Sequence, residues 1–210
     1  MKHTSRDDEP RKRKTNQRLN KALLELLNEK PVNEITVKEL TERAGVSRCV
    51  FYLHYDNLLD MLNWVEEEMF AEYQTCMREL FSQKIDHDTL VLDILRISFQ
   101  ITLDYLPITR LTYSDGSHPQ YLRKYTHILL REVNALFQGK LSERTRSILF
   151  FYASGTAMFI REWIQSDLSK SPAEMAEMVN DIIKNHFDLA NVLETQQEAP
   201  VRHNQRKAAK

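Results

Sequence analysis

The chain has 210 residues, and its 29 Lys+Arg against 30 Asp+Glu leave a formal net charge of −1, so bulk charge singles out no class of partner. Only 4 glycines occur, and Gly45, Gly116, Gly139 and Gly155 lie too far apart to form a glycine-rich phosphate cradle of the GxGxxG kind. With 42% apolar residues and so few turn formers, composition favours an all-α protein that buries its core without disulfides.

The charge is unevenly placed. Residues 11–24 carry Arg11, Lys12, Arg13, Lys14, Arg18 and Lys21 and no acid, whereas residues 61–99 carry three bases (Arg78, Lys84, Arg96) against eight acids (Glu66, Glu67, Glu68, Glu72, Glu79, Asp86, Asp88, Asp93). Residues 1–14 therefore read as a basic arm. Such an arm anchors phosphates if a DNA-reading element follows, and is a solvated tail if none does.

A first helix is expected over 15–29, from Leu19, Ala22, Leu23, Leu26 and Leu27 at helical spacing, with Pro31 beyond its end. Thr36-Val37-Lys38-Glu39 has the form of a capping box, the Thr hydroxyl taking the Glu amide and the Glu reaching back, and it opens a second helix. Gly45 supplies the left-handed turn that ends this helix near Ala44. Ser47 caps a third helix running to Tyr55. Two short helices joined by a brief Gly-containing turn form a helix-turn-helix, which lays its second helix in the major groove. Val37, Leu40, Ala44, Val46 and Phe51 are the expected packing between the pair and onto the first helix.

Asp56 or Asn57 caps a long fourth helix with Leu58, Leu62, Val65, Met69 and Tyr73 on one stripe and Glu66 to Glu68 on the other. Asp88 opens a fifth helix, mostly buried over 98–106. Pro107 begins a short sixth, ended by the loop 114–117. The seventh is expected over 119–138, closed by Gly139. The eighth is capped by Ser142 and continues to Gln165. Its apolar run from Ile148 to Ile160 spans thirteen residues, short of the roughly 20 that a membrane helix needs, and reads as a buried helix. Ser171-Pro172-Ala173-Glu174 opens a ninth helix, with Met175, Met178, Val179, Ile182, Ile183 and Phe187 facing inward. Residues 194–210 are polar and aperiodic and are expected to be a disordered tail. Nothing near the N-terminus resembles a secretory signal, and with just Cys49 and Cys76 the chain is expected in the reducing cytoplasm.

The stretch Thr36-Val37-Lys38-Glu39-Leu40, Arg43-Ala44-Gly45-Val46-Ser47-Arg48 and Phe51-Tyr52-Leu53-His54-Tyr55 resembles the tetracycline-repressor (TetR) family. Phe151 to Trp163 is similar to the regulatory half of some members. The resemblance implies a DNA-binding domain over 15–56 and a helical effector-binding and dimerisation domain over 57–193. It implies that Thr36 and Tyr52 hold DNA phosphates, that Ser47 and Arg48 open the recognition helix, and that Cys49 and Val50 face base edges, with Lys38 and His54 as backbone contacts. These types suit those tasks, since hydroxyls and helix N-termini bind phosphate, Arg pairs with guanine and Val meets a thymine methyl. The family usually carries a Lys where this chain has Leu58. The dipole and amides of the fourth helix could hold a phosphate in its place.

Other features admit two readings each. Cys49 is either a small residue that fits the groove or an oxidation sensor, and it has no second thiol nearby in sequence. His87, His118, His127 and His186 lack the spacing that sets two imidazoles on one metal ion, so no metal or other cofactor is expected. No GxSxG, HExxH or converging Ser/His/Asp pattern marks an enzyme. Phe99, Tyr105, Tyr113, Tyr121, Tyr125, Phe151, Tyr152 and Phe159 with Met158 would line a pocket for a small apolar or aromatic effector, or form plain core. The eighth and ninth helices, with Gly155, Phe159, Met178 and Ile182, would pair with a second subunit, or pack within one. The expected function is a homodimeric, ligand-released repressor on a pseudo-palindromic DNA operator, without membrane contact. The alternative is a co-regulator or activator working through a protein partner.

Overall fold

The structure, a computed structural model, describes residues 8–83, 89–113 and 119–186. These residues form nine helices, α1 (Asp8–Glu29), α2 (Val37–Ala44), α3 (Arg48–His54), α4 (Leu58–Ser82), α5 (Leu90–Asp104), α6 (Leu106–Tyr113), α7 (Pro119–Leu136), α8 (Glu143–Gln165) and α9 (Pro172–His186), with a 3-10 turn at Val32–Glu34. The all-α expectation holds, with no strand among the described residues.

Three features depart from the sequence reading. Helix α1 begins at Asp8 rather than Thr15, so half of the basic arm is helix. Arg and Lys propagate a helix well. Helix α8 is not buried all round: Phe150, Phe151 and Met158 are 54%, 72% and 42% exposed, because α8 meets α5, α6, α7 and α9 on its other sides only. On α9, Met175, Val179 and Ile183 are buried, but Ile182 is 43% exposed. The expected Asp88 start of α5, the 114–117 loop, Phe187 and the 194–210 tail lie outside the described residues.

Apolar burial falls into two clusters. One unites Leu19, Leu23 and Leu26 of α1, Leu40 of α2, Phe51 of α3, Met61 and Val65 of α4 and Ile108 of α6. The other is built on Met69, Tyr73 and Met77 of α4 and on α5, α7, α8 and α9. Helix α4 thus runs from one core into the other, burying its N-terminal half with α1 to α3 and its C-terminal half in the body. Tyr105, at the end of α5, packs against both.

Polar ties fix α4 to its neighbours. Lys124 of α7 pairs with Glu66 at 2.8 Å and Glu67 at 2.7 Å and lies over the Phe70 ring, 5.5 Å from its centroid. Lower down, the buried Glu132 accepts from Gln74 Nε2 at 2.7 Å, Arg78 Nε at 3.3 Å and Arg131 Nε at 3.2 Å. On the opposite side Asn20 Nδ2 of α1 donates to Glu68 at 2.7 Å, and Tyr105 OH donates to Glu72 at 2.7 Å.

Candidate nucleic-acid interface

Local chemistry sets the angle between α2 and α3. Thr36 Oγ1 accepts from Glu39 N at 3.2 Å, as the capping motif requires. The reciprocal half of the box is absent among the described bonds, because the Glu39 carboxylate takes Lys30 Nζ at 2.5 Å. At the far end Gly45 adopts φ 61° and ψ 41°. Val46 N bonds Thr41 O at 3.0 Å and Gly45 N bonds Glu42 O at 3.1 Å, the paired closure that satisfies the last carbonyls of a helix. Ser47 Oγ then accepts from Val50 N at 3.2 Å to start α3. Phe51, fully buried, faces inward as expected. Tyr55 follows it into the core at 3% exposure, its ring 5.6 Å from Phe51 and 5.8 Å from Trp64.

With Phe51 and Tyr55 pointing in, Ser47, Arg48 and Cys49 point out. Tyr52, 56% exposed, stands edge-on to Phe51 at 5.3 Å, which holds the phenol in a fixed direction. Val50 is half-buried, and Thr36 and Lys38 are exposed at the start of α2. Lys38 lies 4.0 Å from Glu42, which offsets part of its charge.

His54 is half-buried, with its Nδ1 unpartnered in the interior. Burial, and then the charge of Lys12, push the imidazole below its ordinary value, which disfavours the cationic form. Lys12, Arg13 and Lys14 of α1 are all exposed, and the charge of Lys12 is felt at His54.

The start of α4 is chemically different from the expectation of a phosphate site. Asn57 Oδ1 accepts from Asp60 N at 2.9 Å, and the Asp60 carboxylate accepts from Asp56 N at 3.1 Å. An amide is thus capped, and a negative charge already occupies the first turn, where it opposes an incoming anion. Leu58 is half-buried against the α1 to α3 core, and Leu59 is 65% exposed.

The residues expected around an effector do not converge on one spot. Phe99 packs edge-on to Trp163 at 5.5 Å in the body core. Tyr113 and Tyr125 are buried in the same core, and Tyr125 OH donates to Ser98 Oγ at 3.1 Å, which in turn donates to Tyr73 OH at 3.4 Å. Tyr105 instead lines a separate groove of 680 Å³ between α1 and α4, with Arg13, Asn20, Glu68 and Glu72. Tyr152 and Phe151 line a groove of 690 Å³ along the first turns of α8. The side chain of Tyr121 lies outside the described residues.

Of the residues expected between subunits, Gly155 faces outward with open space where a Cβ would stand, and Ile182 is exposed. Phe159 and Met178 are half-buried against the body core. Sequence reasoning missed Phe151 as a companion of Gly155 on the open face. The signal was present: Phe151, Gly155 and Met158 sit four and three residues apart, one stripe of a helix. Arg18 was missed too. It reads in sequence as one more basic residue, but its guanidinium Nη2 donates to Gly45 O at 2.6 Å.

The architecture has relatives. The family model described as "Transcriptional regulator C-terminal region" matches residues 92–185. An uncharacterised HTH-type transcriptional regulator of Bacillus subtilis, YxbF, is 27% identical over 165 residues, which is 77% of this chain and 43% of that protein. The class A tetracycline repressor of transposon 1721, from Escherichia coli, is 40% identical over 55 residues, 26% of each chain. The chain thus spans less than half the length of these curated relatives. Among solved structures, FadR of Bacillus subtilis, determined with stearoyl-CoA, superimposes with a TM-score of 0.60 at 16% identity, over 80% of this chain and 96% of that one. With a capped, glycine-turned helix pair at one end and a regulator's C-terminal region at the other, the chain is similar to TetR-type transcriptional regulators.

Proposed function

We propose that the protein is a homodimeric repressor that grips a pseudo-palindromic DNA operator through α3 and leaves it when a small apolar or aromatic molecule binds the body. The observation that carries this reading is the two-sidedness of α3. Phe51 is fully buried and Tyr55 nearly so, while Tyr52 is 56% exposed and Ser47, Arg48 and Cys49 share its outer side. A seven-residue helix held so firmly by one face offers the other to a groove. In this reading Thr36, Lys38, Tyr52 and the Lys12 to Lys14 turns take phosphates, and Arg48, Cys49 and Val50 meet bases. His54 supports α3 from its inner edge.

A single helix of this kind covers one half-site, and specific binding calls for two, about 34 Å apart. The exposed Phe151, Gly155 and Met158 stripe of α8, with Ile182 of α9, is the surface for a second copy, and Phe159 and Met178 back it from the core. For release, α4 is the connecting lever. Its N-terminal half packs with α1 to α3 and its C-terminal half with the body, where Tyr73 and Tyr125 meet at the Ser98 hydroxyl and Phe99 and Tyr113 belong to the same core. An effector seated there would displace α4, and with it the spacing of the two α3 helices. A coupling of about 1–3 kcal/mol gives a 5- to 150-fold change in affinity.

Equilibrium binding to duplexes from the DNA upstream of its own gene, and to random duplexes, tests the reading. Arg48→Ala is expected to relax sequence preference by about 1–3 kcal/mol, whereas Tyr52→Phe weakens both duplexes alike. Affinity should also fall steeply with salt, by about 0.9 in log K per phosphate for each unit of log salt. A flat salt response would remove DNA from the function.

A further inference from the structure

We propose that Arg18 is a positioning residue for the recognition helix α3 rather than one of the phosphate contacts among which its sequence neighbours place it. The inference rests on the DNA-binding reading above and adds a residue to it.

Arg18 lies on α1, twenty-seven positions before Gly45, and its Nη2 donates to the Gly45 carbonyl at 2.6 Å. That carbonyl belongs to the turn between α2 and α3. A Cβ built at residue 45 would come within 2.5 Å of the same Nη2, so the guanidinium occupies the space that glycine leaves open. Gly45 therefore does two things with one absent side chain: it permits the left-handed turn, and it seats the end of Arg18.

The placement matters because α3 has few other anchors. It is seven residues long, only Phe51 within it is buried, and two residues, Val46 and Ser47, separate Gly45 from its start. Its direction is thus set at one end by Phe51 and Tyr55 and at the other by the turn. Two further ties run from the end of α1 to α2: Glu29 holds Arg43 through both carboxylate oxygens, and Lys30 pairs with Glu39 at 2.5 Å. They fix α2 at its first and last turns. Arg18 fixes the corner from which α3 departs.

A hydrogen bond from a guanidinium is stronger than one between neutral groups and fixes direction as well as distance. Arg18 is exposed, so water can take its place at the Gly45 carbonyl when it is removed. The expected effect is a loosened α3 on an intact fold. A loosened reading helix loses discrimination, whereas a lost phosphate contact costs affinity on every sequence equally.

The test uses the full chain, its operator duplex and a random duplex of equal length, over a series of salt concentrations. Arg18→Gln is expected to lower the ratio of operator to random affinity about three- to tenfold, with random-duplex affinity and the salt slope unchanged. Arg18→Lys, which keeps a donor of similar reach, should recover part of the ratio. Should Arg18→Gln fail to fold, Arg18→Lys supports the same comparison with a smaller expected loss. Equal loss on both duplexes, with the slope reduced by about 0.9, makes Arg18 a phosphate contact and overturns the proposal. An unchanged ratio overturns it as well. If the unsubstituted protein prefers no duplex, the DNA-binding reading fails, visibly apart from any behaviour of the Arg18 variants.

Discussion

At Gly45 the backbone needs φ 61°, and the reason glycine stands there is conformational. An L side chain in the left-handed region costs about 1–2 kcal/mol, and its Cβ would also displace the exposed end of Arg18. Gly45→Ala is therefore expected to lower stability by about that amount, about 2–8 °C in Tm for a chain of this size, as read by thermal unfolding. Glu132 is the complementary case of a buried charge. Its burial pushes the carboxyl up, but the Gln74, Arg78 and Arg131 donors outweigh burial and hold it below its ordinary value. A carboxyl lowered in the fold stabilises the protein when ionised, and that contribution disappears as pH falls from about 4.5 through the folded value. Glu132→Gln should accordingly show a smaller drop in Tm between about pH 5 and about pH 3 than the unsubstituted chain. The turn and its caps were legible because Gly, Ser and Thr act locally. The partners of Glu132 lie 54 and 58 positions away for Arg78 and Gln74, and nothing in a one-dimensional pattern brings them together. His54 shows the same limit, since burial and Lys12 are what lower its imidazole.

Helices were legible wherever a cap and a period agreed. Thr36, Ser47, Asn57 and Ser142 each accept the expected amide, and Ser171 and Glu174 form both halves of their box. The reading slipped where composition supplied a label instead of a mechanism. A run of Arg and Lys looks like a tail, but such residues are good helix formers, and α1 extends back to Asp8. A thirteen-residue apolar run looks like core, but an apolar stripe can equally wait for a second subunit. The open face of α8 carries its own prediction. Phe151, 72% exposed, is expected at the centre of the subunit contact. Phe151→Glu should place a charge there that has no partner, giving monomers in light scattering and loss of operator preference, with the helical content kept. A dimer that survives this change would move the contact elsewhere on the molecule.

At the scale of the whole molecule, near-zero net charge conceals basic helical turns on α1 and an acidic face on α4, where Lys124 answers Glu66 and Glu67. In sequence Leu58, Leu62, Val65, Met69 and Tyr73 form one continuous stripe, which the structure divides, Val65 going to one apolar cluster and Met69 and Tyr73 to the other. What sequence could not give is how they join. Tyr105 is shared by both, and its hydroxyl is tied to Glu72. The consequence is thermodynamic: a side chain and a helix shared between the parts couple their unfolding, and the molecule should melt in one calorimetric transition whose measured and van't Hoff enthalpies agree. Tyr105→Ala is expected to split that transition, with the α1 to α3 end melting first and the body later. Two transitions in the unsubstituted protein would assign Tyr105 no such role. If the single transition holds, stabilising the body by any means also steadies the reading end, and the chain's two tasks draw on one reserve of folding free energy.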